Sequence, residues 1–64
     1  MLKDNIQRLR KEVGLTQAQL GIKIGSNEHA VGNWERGSCT PNPEMIVKLK
    51  HALNCTYEEL LEGA

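Results

Sequence analysis

The chain has 64 residues, and eight Lys or Arg balance eight Asp or Glu, so its formal net charge is zero. A chain this short folds around one small core and buries only about 60% of the surface its unfolded form exposes, which argues against an enclosed active site with its own cofactor. Apolar residues at 39% and charged residues at 25% exclude the composition of a disordered chain, and neutrality removes the strongly basic balance that would by itself point to nucleic acid.

Five short segments read as helix and no run alternates with period two, so the expected fold class is all-α. Leu2, Ile6, Leu9 and Val13 recur at helical intervals, and Gly14 ends this first helix. Thr16 and Gln19 have capping-box spacing, in which each side chain satisfies the other's orphan backbone N–H. Leu20 and Ile24 then carry the apolar stripe of a helix of about eight residues up to Gly25. Asn27 is the expected N-cap of a third helix that bears Val31 and Trp34 and closes at Gly37. Gly25, Ser26 and Asn27 alone separate helices two and three, so the two should cross steeply, as in a helix-turn-helix.

The longest loop runs from Ser38 to Asn42. Asn42 and Pro43 then pair an N-cap with a proline at the first helical position, where a missing N–H costs nothing, and helix four continues through Ile46, Leu49 and Leu53. Asn54 is suited to a left-handed C-terminal conformation. Thr56 with Glu59 forms a second capping box that leads into Leu60 and Leu61 before Gly63.

Helix three carries the informative pattern. Val31, Trp34 and Glu35 lie on one side of it, and Glu28, His29, Gly32, Asn33 and Arg36 form a polar stripe on the other. Amide, imidazole and guanidinium side chains on such a helix are the chemistry that reads base edges in a major groove, while any amphipathic helix also has a solvated face. Glu35 sits on the core side, where an unpaired carboxylate is costly. Arg10, between Ile6 and Val13 on the inward part of helix one, is its expected partner in a structural ion pair.

Other functional classes find little support. Ser26, Ser38, His29, His51 and the two cysteines show no spacing of a nucleophile with its base, so no enzyme is expected. Cys39 and Cys55 have no zinc-like spacing and are read as free thiols, Cys39 exposed in the loop and Cys55 buried; neither metal nor cofactor is expected. No apolar run approaches the roughly 18 residues of a membrane span, and Met1-Leu2-Lys3-Asp4 does not open a signal peptide, so the chain is read as cytoplasmic.

Leu15-Thr16-Gln17-Ala18-Gln19-Leu20-Gly21, Gly25, Val31-x-x-Trp34-Glu35-Arg36-Gly37, Pro41, Ala52-Leu53-Asn54-Cys55 and Leu60-Leu61 together resemble the Cro/cI-type (XRE) helix-turn-helix family, which includes phage repressor DNA-binding domains. The resemblance spans residues 3 to 63. It implies a compact five-helix, lambda-repressor-like DNA-binding domain over residues 1–64, with the helix-turn-helix at about 16–36. It further implies a transcriptional regulator, expected to be a repressor, on double-stranded DNA with a two-fold operator. Such proteins usually act as homodimers, whether assembled beforehand or only on DNA.

On that resemblance Glu28, His29 and Asn33 face base edges and Gln17 contacts phosphate; the residues themselves add Gly32, as permitting close approach of the backbone, and Thr16, Asn27 and Arg36 as further phosphate contacts. A helix N-terminus at Thr16 and Gln17 suits an anion, and an Asn at position 33 can pair bidentately with adenine. For Gly32, drift at an exposed position is the equal alternative. Gly21, where the family often has alanine, would permit close packing of helix two on helix three. Arg10 and Glu35 occupy positions that pair in the family.

Two departures matter. Glu28 stands where many relatives carry Gln, Ser or Arg, and helix three has no Lys or Arg before Arg36. They leave room for a protein-interaction module on the same fold, such as an antitoxin or a partner-binding regulator. Tyr57, Leu60 and Leu61 are candidates either for a dimer surface or for the core. Residues 1 to 27 hold five basic groups against two acidic, a net of +3, and residues 28 to 64 hold three against six, a net of −3. Neutrality therefore conceals a polar layout, and it predicts few phosphate contacts per monomer.

Overall fold

The computed structural model describes residues 2–62, which form five α-helices: α1 (Leu2–Glu12), α2 (Gln17–Lys23), α3 (Glu28–Arg36), α4 (Pro43–Ala52) and α5 (Tyr57–Leu61). Among the described residues there is no strand. Each of the last four helices starts on a side-chain cap. The hydroxyls of Thr16 and Thr56 accept from the backbone N–H of Gln19 and Glu59, which reach back in turn to the backbone N–H of each threonine. Asn27 and Asn42 cap α3 and α4 by accepting from the N–H groups of Ala30 and Met45.

The ends are equally local. Gly37 closes α3 at φ +80°, where a side chain would be strained, and the following N–H of Ser38 bonds back to the Asn33 carbonyl at 3.0 Å. Asn54 takes the left-handed conformation after α4 with φ +52°. Gly63, expected to close the last helix, lies outside the described residues.

The core draws on every helix. Ile6 and Leu9 of α1, Leu20 of α2, Val31 and Trp34 of α3, Leu49 and Ala52 of α4 and Leu60 of α5 are buried, with Ile24 and Leu53 from the turns that follow α2 and α4. Burying each large aliphatic side chain contributes about 1.5–3 kcal/mol. Val13 departs from the expected stripe of helix one. The helix stops at Glu12, and Val13 lies in the turn, 42% exposed. The apolar period runs one residue beyond the helix, into the turn that Gly14 makes at φ +77°. Leu61 likewise leaves the core, at 46% exposed.

Two polar features fix how the helices meet. Buried Asn5 donates through Nδ2 to the carbonyls of Leu60 (3.0 Å) and Glu62 (2.6 Å), so α1 satisfies the open C-terminal end of α5. Gly21 of α2 lies so near the backbone before α3 that a Cβ there would stand 2.5 Å from the Asn27 carbonyl carbon. Close packing at Gly21 is therefore against the turn backbone at the α3 N-cap.

Candidate nucleic-acid interface

The helix-turn-helix is tied to α1 by a buried ion pair. Arg10 Nε and Nη2 donate to the two carboxylate oxygens of Glu35 at 2.6 and 3.1 Å, in the forked geometry that suits guanidinium and carboxylate. The two side chains are only 9% and 3% exposed. Arg10 Nη1 also donates to the Leu15 carbonyl at 2.9 Å, and Gln17 Nε2 donates to Glu35 Oε1 at 3.0 Å. Four segments thus meet on one carboxylate and one guanidinium: α1, the loop after it, the first turn of α2 and the last turn of α3.

This network uses a residue expected elsewhere. The resemblance sets Gln17 against phosphate; in the free protein its half-buried side-chain amide is turned inward to Glu35. The capping box also occupies the N–H groups of Thr16 and Gln19. The first-turn N–H groups left without an acceptor within the helix are those of Gln17 and Ala18. Exposed Asn27 commits its carbonyl oxygen to Ala30, which leaves its NH₂ group outward.

With Glu35 and Trp34 held inward, α3 turns its polar row to solvent. Glu28, His29 and Arg36 are exposed and Asn33 is half-buried. Gln17, Glu28, His29, Gly32 and Arg36 line one shallow notch. Gly32 is not on open surface, contrary to one expectation for it: it is buried beneath the Arg36 side chain, whose Nη1 lies 3.1 Å from where a Cβ would be. Arg36 Nη2 donates to Asn33 Oδ1. The basic residue expected to serve phosphate therefore lies, in the free protein, against its own helix.

The remaining candidates lie apart from this face. Cys39 is exposed in the loop after α3, and Cys55 is half-buried, short of the burial expected for it. Burial pushes the Cys55 thiol above its ordinary range; nearby Glu59 adds to the effect and Lys50 opposes it. Among the described residues, no group of three or more His, Cys, Asp or Glu side chains could hold a metal ion, and no helix is long and apolar enough to cross a membrane. An apolar groove lined by Pro43, Ile46, Val47, Tyr57 and Leu61 runs along α4 and α5.

Two short helices joined by a four-residue turn, the second clamped by its inner face and polar on its outer one, define a helix-turn-helix protein. The helix-turn-helix family's sequence profile matches residues 6–60, and the chain belongs to that family, in its Cro/cI-type branch. It is 35% identical over 63 residues to repressor protein C2 of Salmonella phage P22, covering 98% of this chain and 29% of that protein. The crystal structure of the P22 c2 repressor with a synthetic operator superposes with a TM-score of 0.91 at 34% identity, covering all of this chain and 97% of the other. The restriction-modification controller protein C.AhdI of Aeromonas hydrophila gives a TM-score of 0.87 at 32% identity over 94% of this chain and 91% of its own. The chain spans about a third or less of the length of the first curated relatives it matches.

Proposed function

We propose that this chain is the DNA-binding domain of a cytoplasmic transcriptional repressor that reads the major groove with α3. The observation that carries the reading is the polar row Glu28, His29, Asn33 and Arg36, presented on a helix whose opposite face is locked by the Arg10–Glu35 pair. A side chain can discriminate bases only if its helix is held rigidly, and the buried network supplies that rigidity. The P22 c2 repressor, solved in complex with a synthetic operator, supports double-stranded DNA as the partner of this chain. His29 and Asn33 are assigned to base edges, Glu28 to a cytosine amino group, and the N–H groups of Gln17 and Ala18, the Asn27 amide and Thr16 to the flanking backbone. The role is binding, without catalysis, metal or cofactor.

The operator is two-fold and the working unit a homodimer. A single module of this size buries roughly 600–1,000 Å² on DNA, and two modules on half-sites one helical turn apart multiply that contact. Val47, Tyr57 and Leu61, all 42–46% exposed along the α4–α5 groove, form the surface for the second copy. Leu60 follows the other expectation for this segment and is wholly buried in the core.

Selection from a random DNA pool at low salt tests the reading, with wild type beside His29→Ala and Asn33→Ala. A two-fold motif that relaxes at single positions in the variants is the expected result; no enrichment by the wild type would overturn it. One observation favours a protein partner instead: Ile22 is 77% exposed on α2. Counterion release separates the two, because DNA affinity falls steeply with salt and an apolar protein contact does not.

A further inference from the structure

We propose that Arg36 is a positioning residue for base recognition: by holding Asn33 Oδ1 it presents the Asn33 NH₂ group, and not its oxygen, to the groove. The inference rests on α3 entering the major groove as proposed above. A carboxamide has one acceptor end and one donor end, and bidentate pairing with adenine uses both, accepting from N6 and donating to N7. A guanidinium has only donors, so the end of Asn33 that meets Arg36 Nη2 is the oxygen. A hydrogen bond from an ionised donor is about twice as strong as a neutral one and holds the amide against rotation. The outward NH₂ then seeks acceptors, and guanine offers two on its major-groove edge, N7 and O6.

Gly32 is the second part of the device. The guanidinium reaches Asn33 by lying back over the helix at position 32, where Nη1 is 3.1 Å from the place of a Cβ and Gln17 Oε1 is 3.9 Å from it. Alanine there would press on the far end of Arg36, the part that makes the bond. Gly32 is helical with no positive φ, so the backbone does not require glycine; the Arg36 side chain is what occupies the space. The arrangement joins three residues of the polar row into one reading head: Gly32 gives room, Arg36 orients and Asn33 donates.

The test is pool selection with wild type, Asn33→Ala, Arg36→Met and Gly32→Ala, with the salt slope and melting temperature measured for each. At the one position per half-site where Asn33→Ala relaxes the motif, wild type should favour guanine. Arg36→Met and Gly32→Ala should each move that preference toward adenine by about fivefold or more, the lower end of what one good side-chain pair discriminates. Gly32→Ala should melt no lower than wild type, since alanine is the better helix former, which separates lost positioning from lost folding. A motif unchanged in base profile in both variants, with affinity lowered uniformly and the salt slope reduced by about one, would make Arg36 a phosphate contact and overturn the proposal while the groove reading stands. No motif with the wild type would overturn both.

Discussion

Gln17 Nε2 donates to Glu35 Oε1 at 3.0 Å, on the same carboxylate that Arg10 grips through two bonds. The contact joins the first residue of α2 to the last turn of α3, so the two helices of the motif are tied at their polar ends as well as through Leu20, Val31 and Gly21. Glu35 thereby has both oxygens satisfied although it lies almost wholly out of water. The geometry of the presented face depends on a charge whose partners come from α1 and α2.

Removing Arg10 should therefore unfold much of the protein. Breaking one side of a buried pair costs about 3–5 kcal/mol. A chain of this size has only roughly 3–10 kcal/mol of total stability. Arg10→Ala should shift most of the population toward the unfolded state in urea titrations followed by circular dichroism. Gln17→Ala should cost only about 1 kcal/mol, the scale of one hydrogen bond. The double variant Arg10→Met with Glu35→Leu should be more stable than Arg10→Ala alone, because it leaves no charge unpaired.

Gly21→Ala should destabilise despite the better helix propensity of alanine. The added methyl would stand 2.5 Å from the Asn27 carbonyl carbon, which is backbone and cannot swing aside. Overpacking of this kind costs about 1–3 kcal/mol, against a gain of about 1 for replacing glycine in a helix. A urea midpoint equal to or above that of wild type would show that the turn moves freely.

The two thiols should separate by reactivity and by pH. Cys39 is exposed and should alkylate first; Cys55 should react slowly, with its rate profile displaced to higher pH because burial raises its pKa above the ordinary value of 9.0. The folded state holds that proton more tightly than the unfolded one. The associated stability is thus fully present below pH 9.0 and lost as pH rises through the folded value. Comparing unfolding of wild type and Cys55→Ala across that range isolates this slope.

Charge placed on the α4–α5 groove should weaken assembly without unfolding the monomer. Tyr57 and Leu61 are 43% and 46% exposed, so Tyr57→Lys or Leu61→Glu costs little core burial. Each should lower affinity for a two-fold site far more than for a single half-site, measured by gel shift alongside sedimentation. Equal losses on both sites would place the dimer contact elsewhere.

Legibility from sequence followed the distance between partners. The capping boxes at Thr16–Gln19 and Thr56–Glu59, the caps at Asn27 and Asn42 and the left-handed Asn54 were all readable, since each depends on neighbours within three or four residues. The Arg10–Glu35 pairing spans 25 residues yet was readable, because helical phase put both charges on inward faces. The inward bond of the Gln17 side chain was not readable: nothing local indicates that Glu35 lies beside the first residue of α2. Asn5 gave no signal at all, since its two acceptors are 55 and 57 residues away.

By itself the sequence determined where α2 to α5 begin, which face of most helices turns inward, and that a short turn joins α2 to α3. Those properties arise from backbone capping and a 3.6-residue period, which act within one or two turns of chain. Only the tertiary structure decided which polar groups meet: that Gln17 turns inward to Glu35, that Asn5 closes α5, and that Gly32 lies under Arg36 and is not bare surface. A side chain's partner depends on how distant helices pack, and several polar groups on any one face could satisfy the same donor until the fold leaves one of them within reach.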